Sequence, residues 1–265
     1  MRSPTPAELL LQKELGITNP DEIDLEAIAW HVGVQVRYRE LDGCEARIIG
    51  RSNKGIISVQ AGQHPRRRRF SVGHELGHWH WHRGRSFICR ANDIGGALEN
   101  KPQAEREADS YAADLLMPWY LFLPKVRAAK SPSFELVRGL ADEFQTSLTA
   151  TALRLVDATI FPIILVCHGQ RGRKWFRRSH DVPDHWFPRT DLDAESYAFD
   201  VLFGSRGDHR PTKMGADAWF DRHDAERFEL FEQTVRVSDS EVMSMLHIVD
   251  STMLDEAGIN GRQRY

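Results

Sequence analysis

Apolar positions along this chain fall into two textures, with a change near residue 158. Pro6-Ala-Glu-Leu-Leu-Leu-Gln-Lys-Glu-Leu predicts a helix stopped at Gly16, and Asp24 is placed to cap a second that ends at Gly33. Val34-Gln-Val-Arg-Tyr alternates as a half-buried strand does. Ala46-Arg-Ile-Ile-Gly and Ile56-Ile-Ser-Val flank a polar turn, the pattern of a hairpin. Helical periodicity then predicts helices over about 68–83, 104–117, 133–145 and 149–157, with Pro118 as a stop signal. Beyond Ile160 the texture is that of a sheet. Pro162-Ile-Ile-Leu-Val-Cys reads as a buried strand, His168-Gly-Gln-Arg-Gly as a turn, and Lys174-Trp-Phe-Arg as the returning strand. Further strands are predicted near 214–220, 228–237 and 241–249, with a helix around 193–203. The class is therefore α+β. Residues 1–130 form a domain of helices plus a small sheet, 131–158 a helical segment resembling helix–turn–helix, and 159–265 a sheet-rich α+β domain.

Composition narrows the function classes. The chain has 265 residues, 41% of them hydrophobic, enough for a substantial core. A net charge of −3 gives no basic excess of the kind that marks nucleic-acid binding. The longest apolar run, Phe161 to Cys167, is far short of the roughly 20 residues that cross a bilayer, so no membrane association is expected. Cys44, Cys89 and Cys167 are too few and too odd in number for a disulfide framework. No apolar targeting stretch opens the chain. The expectation is a cytoplasmic protein with reduced thiols.

The chemistry gathers at His74-Glu-Leu-Gly-His78. On a helix, positions i and i+4 lie about 40° apart around the axis, so His74 and His78 can hold one metal ion between them. Glu75, beside the first ligand, can take a proton from metal-bound water, the arrangement of a zinc hydrolase. Catalytic zinc usually has three protein ligands. Glu105-Arg-Glu-Ala-Asp109 opens a second helical run 27 residues after His78, far enough for a loop to return and a second helix to face the first. Glu105 is the preferred third ligand because Asp109 follows it by one helical turn. From that face Asp109 can accept the free ring N–H of a ligand histidine. Glu107 is the rival.

Phe70-Ser-Val-Gly-His-Glu-Leu-Gly-His78, followed by Glu105-x-x-Ala-Asp-x-Tyr-Ala-Ala-x-Leu-Leu-Met-Pro118, resembles the ImmA/IrrE-type metallopeptidases over roughly residues 7–157. The resemblance implies a minimal zincin-like core of gluzincin type, with His74, His78 and Glu105 on zinc and Glu75 as general base. Manganese or another divalent ion can replace zinc where availability dictates. It further implies a narrow protein substrate, typically a helix–turn–helix repressor whose cleavage derepresses stress-response or mobile-element genes. The C-terminal unit would sense a signal or hold the substrate, and an extended peptide would add to the hairpin as a strand. Gly73 stands where the family usually has Ala, and Tyr111 where it has Phe. Two other classes compete: a non-catalytic binding module of toxin–antitoxin type, and a DNA-binding regulator.

Other segments have plainer readings. His80 points away from the metal face, and His82 lies about 12 Å along the axis from His74, too far to share an ion with it. His82, Tyr111 and Arg69 are candidates for transition-state or substrate contacts. Arg66–Arg69 reads as a solvated helix start, or else as an attractor of acidic protein. The five positive charges of 171–178 offer a phosphate or nucleic-acid patch, but alternate residues of a strand face opposite sides, so no single basic face is assured and a hairpin with charged edges is the preferred reading. In the 136–157 segment the second helix opens on Thr-Ala-Thr-Ala, too short and uncharged to read bases, and direct DNA binding is not expected. Cys44 and Cys89 would be redox sensors only if exposed and acidified.

Overall fold

The computed structural model describes residues 2–83, 87–90, 93–95 and 101–255. Its contacts divide the chain into two compact units. One takes the chain up to Lys125 together with Gly139–Thr151, and the other Val126–Arg138 together with the chain from Ala152 onward. The helical stretch 131–158 is thus shared between both units.

The first unit opens with α1 (Pro6–Leu9), which continues as a wider π-turn, Leu10–Glu14. Thr5 and Glu8 form a capping box at its start. The other oxygen of Glu8, buried at 4% exposure, accepts the N–H groups of Trp119 (2.7 Å) and Tyr120 (3.3 Å). Those residues begin α5 (Trp119–Ala128), a helix the sequence pattern did not predict because Pro124 lies inside it. Asp24 caps α2 (Leu25–His31) through the Ala27 N–H.

A four-stranded sheet follows, built from β1 (Val34–Arg39), β2 (Ala46–Arg51), β3 (Lys54–Gln60) and β4 (Phe87–Cys89). The order is β1-β3-β2-β4, with β1 parallel to β3 and the other pairs antiparallel. The β2–β3 hairpin was expected; β4 was not, being too short for periodicity to register. Against this sheet lies α3 (Pro65–Trp81). It starts three residues earlier than the apolar pattern suggested, because Pro65 takes the first helical position and the His64 ring accepts the Arg66 N–H. Gly50 and Gly55, paired across the hairpin, leave room for the Trp79 ring: a Cβ on Gly50 would stand 2.3 Å from Trp79 Cζ3.

The Arg66–Arg69 run is not a solvated stretch. Arg66 bonds the Thr146 carbonyl and Asp142, Arg67 bonds Glu45 and the Ile94 carbonyl, Arg68 covers the Tyr38 ring, and Arg69 bonds the Ile23 carbonyl. Four adjacent guanidinium groups tie the start of α3 to four different neighbours. Their spacing around the helix sends each in its own direction.

The next helix, α4 (Gln103–Leu116), packs along α3 at very short range. At Gly77 an added Cβ would meet the Ala108 Cα at 2.7 Å and its carbonyl oxygen at 2.9 Å. One turn earlier Gly73 faces the Ala112 Cβ at 3.2 Å. Small residues on both helices set this approach. The helices α6 (Phe134–Glu143) and α7 (Leu148–Asp157) follow α5. Gln145 takes a positive φ of 53° in the turn between α6 and α7, and Thr146 and Thr151 share a buried hydrogen bond of 2.7 Å. At the start of α7, Thr151 is therefore turned inward.

The second unit carries a five-stranded antiparallel sheet, β6-β5-β9-β8-β7. The strands are β5 (Ile163–Gly169), β6 (Gly172–Arg178), β7 (Thr212–Gly215), β8 (Glu229–Ser238) and β9 (Glu241–Ile248). The strand expected over 214–220 is shorter than its apolar content suggested, since a 3-10 turn at Ala216–Ala218 ends it and turns Trp219 and Phe220 into the core. Val166, Trp186, Val201, Trp219 and Leu246 are among that core. The Glu232 carboxylate, fully buried, receives the Ala198 N–H at the start of α8 (Tyr197–Phe203) and the Trp219 indole N–H. On β6, Lys174 pairs with Glu241 and Arg177 with Asp157, so its charges are spent locally.

Two measurements test these packing arguments. Gly77→Ala places a methyl group against backbone that cannot yield, and should cost about 1–3 kcal/mol, read as a lower melting temperature. A variant as stable as wild type would mean that α3 and α4 are not held at this distance. In the second unit, His168 is buried with its Nδ1 unpartnered, and burial pushes its pKa down from 6.5 to about 4. The folded value lies below the unfolded one, so the stability it contributes is complete at neutral pH and is lost as pH falls from 6.5 through about 4. His168→Gln should flatten the fall in melting temperature across that window; an unchanged slope would assign the acid sensitivity elsewhere.

Candidate metal centre

The close approach of α3 and α4 brings the motif residues together. His74 and His78, one turn apart, are 0% and 1% exposed. Their Nε2 atoms lie 3.1 Å apart. Glu105, on the first turn of α4, puts Oε2 at 3.0 Å from His74 Nε2 and 3.4 Å from His78 Nε2. Nitrogen or oxygen ligands held about 2.05 Å from a tetrahedral zinc ion stand roughly 3.3 Å from one another. The three donors therefore already have the spacing of one coordination sphere, and their chemistry fits the ion.

Each imidazole is fixed from its far side. His74 Nδ1 lies 2.9 Å from Asp109 Oδ1, and as N–H donor there it leaves Nε2 free to coordinate. Asp109 also receives the Gly95 N–H (2.9 Å) and the Lys101 ammonium (2.8 Å). Burial pushes the Asp109 carboxyl up, but these partners outweigh it and hold the group below its ordinary range. His78 Nδ1 lies 3.3 Å from His82 Nδ1, and His82 Nε2 lies 3.1 Å from Glu107 Oε2. A proton on His78 Nδ1 and another on His82 Nε2 satisfy both contacts. The rival third ligand, Glu107, thus stands one residue further out, and His82 acts through His78 rather than beside it.

The electrostatics follow from burial and these contacts. Burial pushes Glu105 up, but the hydrogen bonds of His74 and His78 outweigh it and bring the carboxyl down to about 2. Burial pushes His74 down, but its bonds to Asp109 and Glu105 raise it to about 9. Glu75 is 0% exposed; among the described residues no N–H or O–H group meets its carboxylate, and its one hydrogen-bond contact is the Cys89 thiol. Burial, with the nearby Glu105 charge adding to it, lifts its pKa to about 8 against the pull of His74 and of the Cys89 thiol. A carboxyl in that state is poised to exchange a proton near neutral pH.

Other sequence candidates lie elsewhere. Tyr111 stacks on His80 with ring centroids 5.1 Å apart. Arg69 is engaged by the Ile23 carbonyl, close to Asp24 and Glu26. Neither is among the metal donors. A separate concavity of about 600 Å³, lined by Trp30, Val34, Ile49 and Ile56, holds none of them either.

One member was missed. Cys89, from β4, places Sγ 3.5 Å from His78 Nε2, and it forms one donor group with His74, His78 and Glu105 whose ligand atoms all lie within 4.8 Å of each other. It is buried, and burial drives its thiol pKa far up, the reverse of an exposed, acidified redox sensor. The only sequence signal was the apolar triplet Phe-Ile-Cys a short loop after His78. Lys101 carried no signal at all.

Residues 29–156 match the family model Peptidase_M78, described as the IrrE N-terminal-like domain. No curated protein matches the chain. Among solved structures, a Mycobacterium tuberculosis transcriptional regulator aligns over 95% of this chain and 77% of its own, at 11% identity and a TM-score of 0.58. At that identity the likeness is one of fold.

Asp109→Ala should free the His74 ring to turn and weaken zinc binding about 10- to 100-fold, measured by competition with a chromophoric chelator. Affinity equal to wild type would show that Asp109 does not orient the ligand.

Proposed function

The chain belongs, through residues 29–156, to the IrrE N-terminal-like peptidase family, and from that membership we propose a zinc-dependent endopeptidase that cleaves a specific intracellular protein. The observation that carries the reading is the pairing of a three-donor cluster, His74, His78 and Glu105, with a buried carboxyl, Glu75, whose one hydrogen-bond contact is the weak one of the Cys89 thiol. A non-catalytic binding module has no use for that carboxyl, and burying it with so weak a partner is costly.

His74, His78 and Glu105 would hold the ion, with Asp109 and the His82–Glu107 pair setting the two imidazole rings. When bound, zinc polarises a peptide carbonyl and acidifies water. Glu75 takes the proton from the attacking water and returns it to the leaving amine. Its raised pKa suits both halves of that exchange, since a group titrating near 8 gives up and regains a proton readily at neutral pH. The depth of the cluster keeps bulk water from competing for the same groups.

The preferred substrate is a helix–turn–helix repressor, whose removal would derepress stress-response or mobile-element genes. Manganese or another divalent ion would serve in place of zinc where the cell supplies it. Support comes from the family and from the fold likeness to a protein titled a transcriptional regulator. In this reading the second unit senses a signal or holds the substrate, and control of transcription runs through proteolysis rather than through DNA contact.

Glu75→Gln should keep the metal and abolish cleavage. In cells of the native host, with and without stress, a proteome-wide search for new N-termini should return one or a few that depend on Glu75. Equal sets of termini from wild type and variant would refute the assignment of Glu75. A complete absence of termini, with a specific partner still captured by the variant, would replace the peptidase with a binding module.

A further inference from the structure

We propose that Cys89 is a fourth protein ligand of this metal centre, and that it closes the centre in the resting protein so that the peptidase is latent until the thiolate leaves. The inference rests on the metallopeptidase reading above and adds a mode of control to it.

Three features carry it. The first is distance. A nitrogen about 2.05 Å and a sulfur about 2.3 Å from a tetrahedral zinc ion stand roughly 3.6 Å apart. Cys89 Sγ lies 3.5 Å from His78 Nε2. The second is placement. Cys89 pairs with Ala46 and Ile88 with Arg47, so Cys89 shares the inner sheet face with buried Ala46 and Ile48, while Ile88 is 68% exposed. The strand aims the thiol at α3. Its polar neighbours there are the His78 imidazole and the carboxylates of Glu75 and Glu105. The third is what the thiol faces. The fully buried Glu75 carboxylate is its hydrogen-bond contact, so the sulfur stands beside the candidate base, where an attacking water would have to stand.

Catalytic zinc sites keep one position open, and structural sites fill all four with protein atoms. His74, His78, Glu105 and Cys89 fill four. With the thiolate in place, no solvent molecule reaches the ion for Glu75 to deprotonate. Coordination releases the thiol proton to solvent. On opening, water takes the vacated position and the departing sulfur regains a proton, so no oxidant is needed. The device is also easily moved: β4 is an edge strand paired over three residues, Ala46↔Cys89, Arg47↔Ile88 and Ile48↔Phe87.

The test uses the full chain loaded with cobalt(II), as wild type, Cys89→Ala, Cys89→Ser and a control lacking the other two thiols (Cys44→Ala with Cys167→Ala). Wild type and control should both show a near-ultraviolet sulfur-to-cobalt charge-transfer band. Both Cys89 variants should lose it while retaining one cobalt per chain. Acetohydroxamate, which needs an open position, should bind the Cys89 variants at least about tenfold more tightly than wild type. Cobalt bound by wild type without the band would overturn the ligand assignment and leave the peptidase reading standing. A band with equal hydroxamate affinity in all forms would overturn latency. Wild type that binds no cobalt would overturn both this inference and the metal-centre reading beneath it.

Discussion

Two helices can share one buried metal centre only where their axes come close enough for short donors on each to reach the same point. In this protein that distance is set by the absence of side chains. Gly77 lies against the backbone of Ala108 and Gly73 against Ala112, so at these two contacts nothing larger than a methyl group stands between α3 and α4. The histidines need one turn of α3, and Glu105 and Asp109 one turn of α4. Neither pair would meet the other if either helix carried a larger residue on the contact face. The remaining features of the first unit serve this approach. Trp79 fills the groove left by Gly50 and Gly55, the arginine run anchors the start of α3, and Lys101 and Gly95 hold Asp109 in its place.

Burial does the rest of the chemical work. A carboxylate in water has an ordinary pKa and no preference for a partner. Within this cluster the outcome depends on contacts. Glu105, bonded by two imidazoles, is held deep in its ionised form, while Glu75, bonded by none, is lifted towards neutrality. Two glutamates in one pocket thereby differ in character: one is held as a charged donor and the other is left ready to exchange a proton. The two histidines are likewise separated by their outer partners, an aspartate for His74 and a second histidine for His78.

Local spacing made the central donors legible in the sequence, because i,i+4 geometry on a helix is nearly independent of context. The same holds for the α+β class and for most helix and strand positions. What escaped depends on tertiary pairing. Cys89 reaches the cluster from a three-residue strand whose register against β2 no periodicity records. The spacing of His82 rules out an ion shared with His74 and leaves it a candidate substrate contact, but it does not record the chain of contacts that runs from Glu107 through His82 to His78. The arginine run looked solvated because adjacent like charges usually are, yet each side chain leaves the helix towards a different neighbour. The helix containing Pro124 was hidden by the residue that most often ends one.

The recognisable domain and the folding unit are not the same piece of chain. The family match begins at residue 29, after the first two helical turns of the protein. Yet the Glu8 carboxylate holds the first N–H groups of α5 from a buried position. The Tyr120 hydroxyl donates to the Ile17 carbonyl, and Arg69 of α3 donates to the carbonyl of Ile23. A fragment excised at the family boundary would therefore leave the start of α5 uncapped and a guanidinium in α3 without its acceptor. The leading segment is an internal brace, and a fragment that keeps these contacts must start before Thr5.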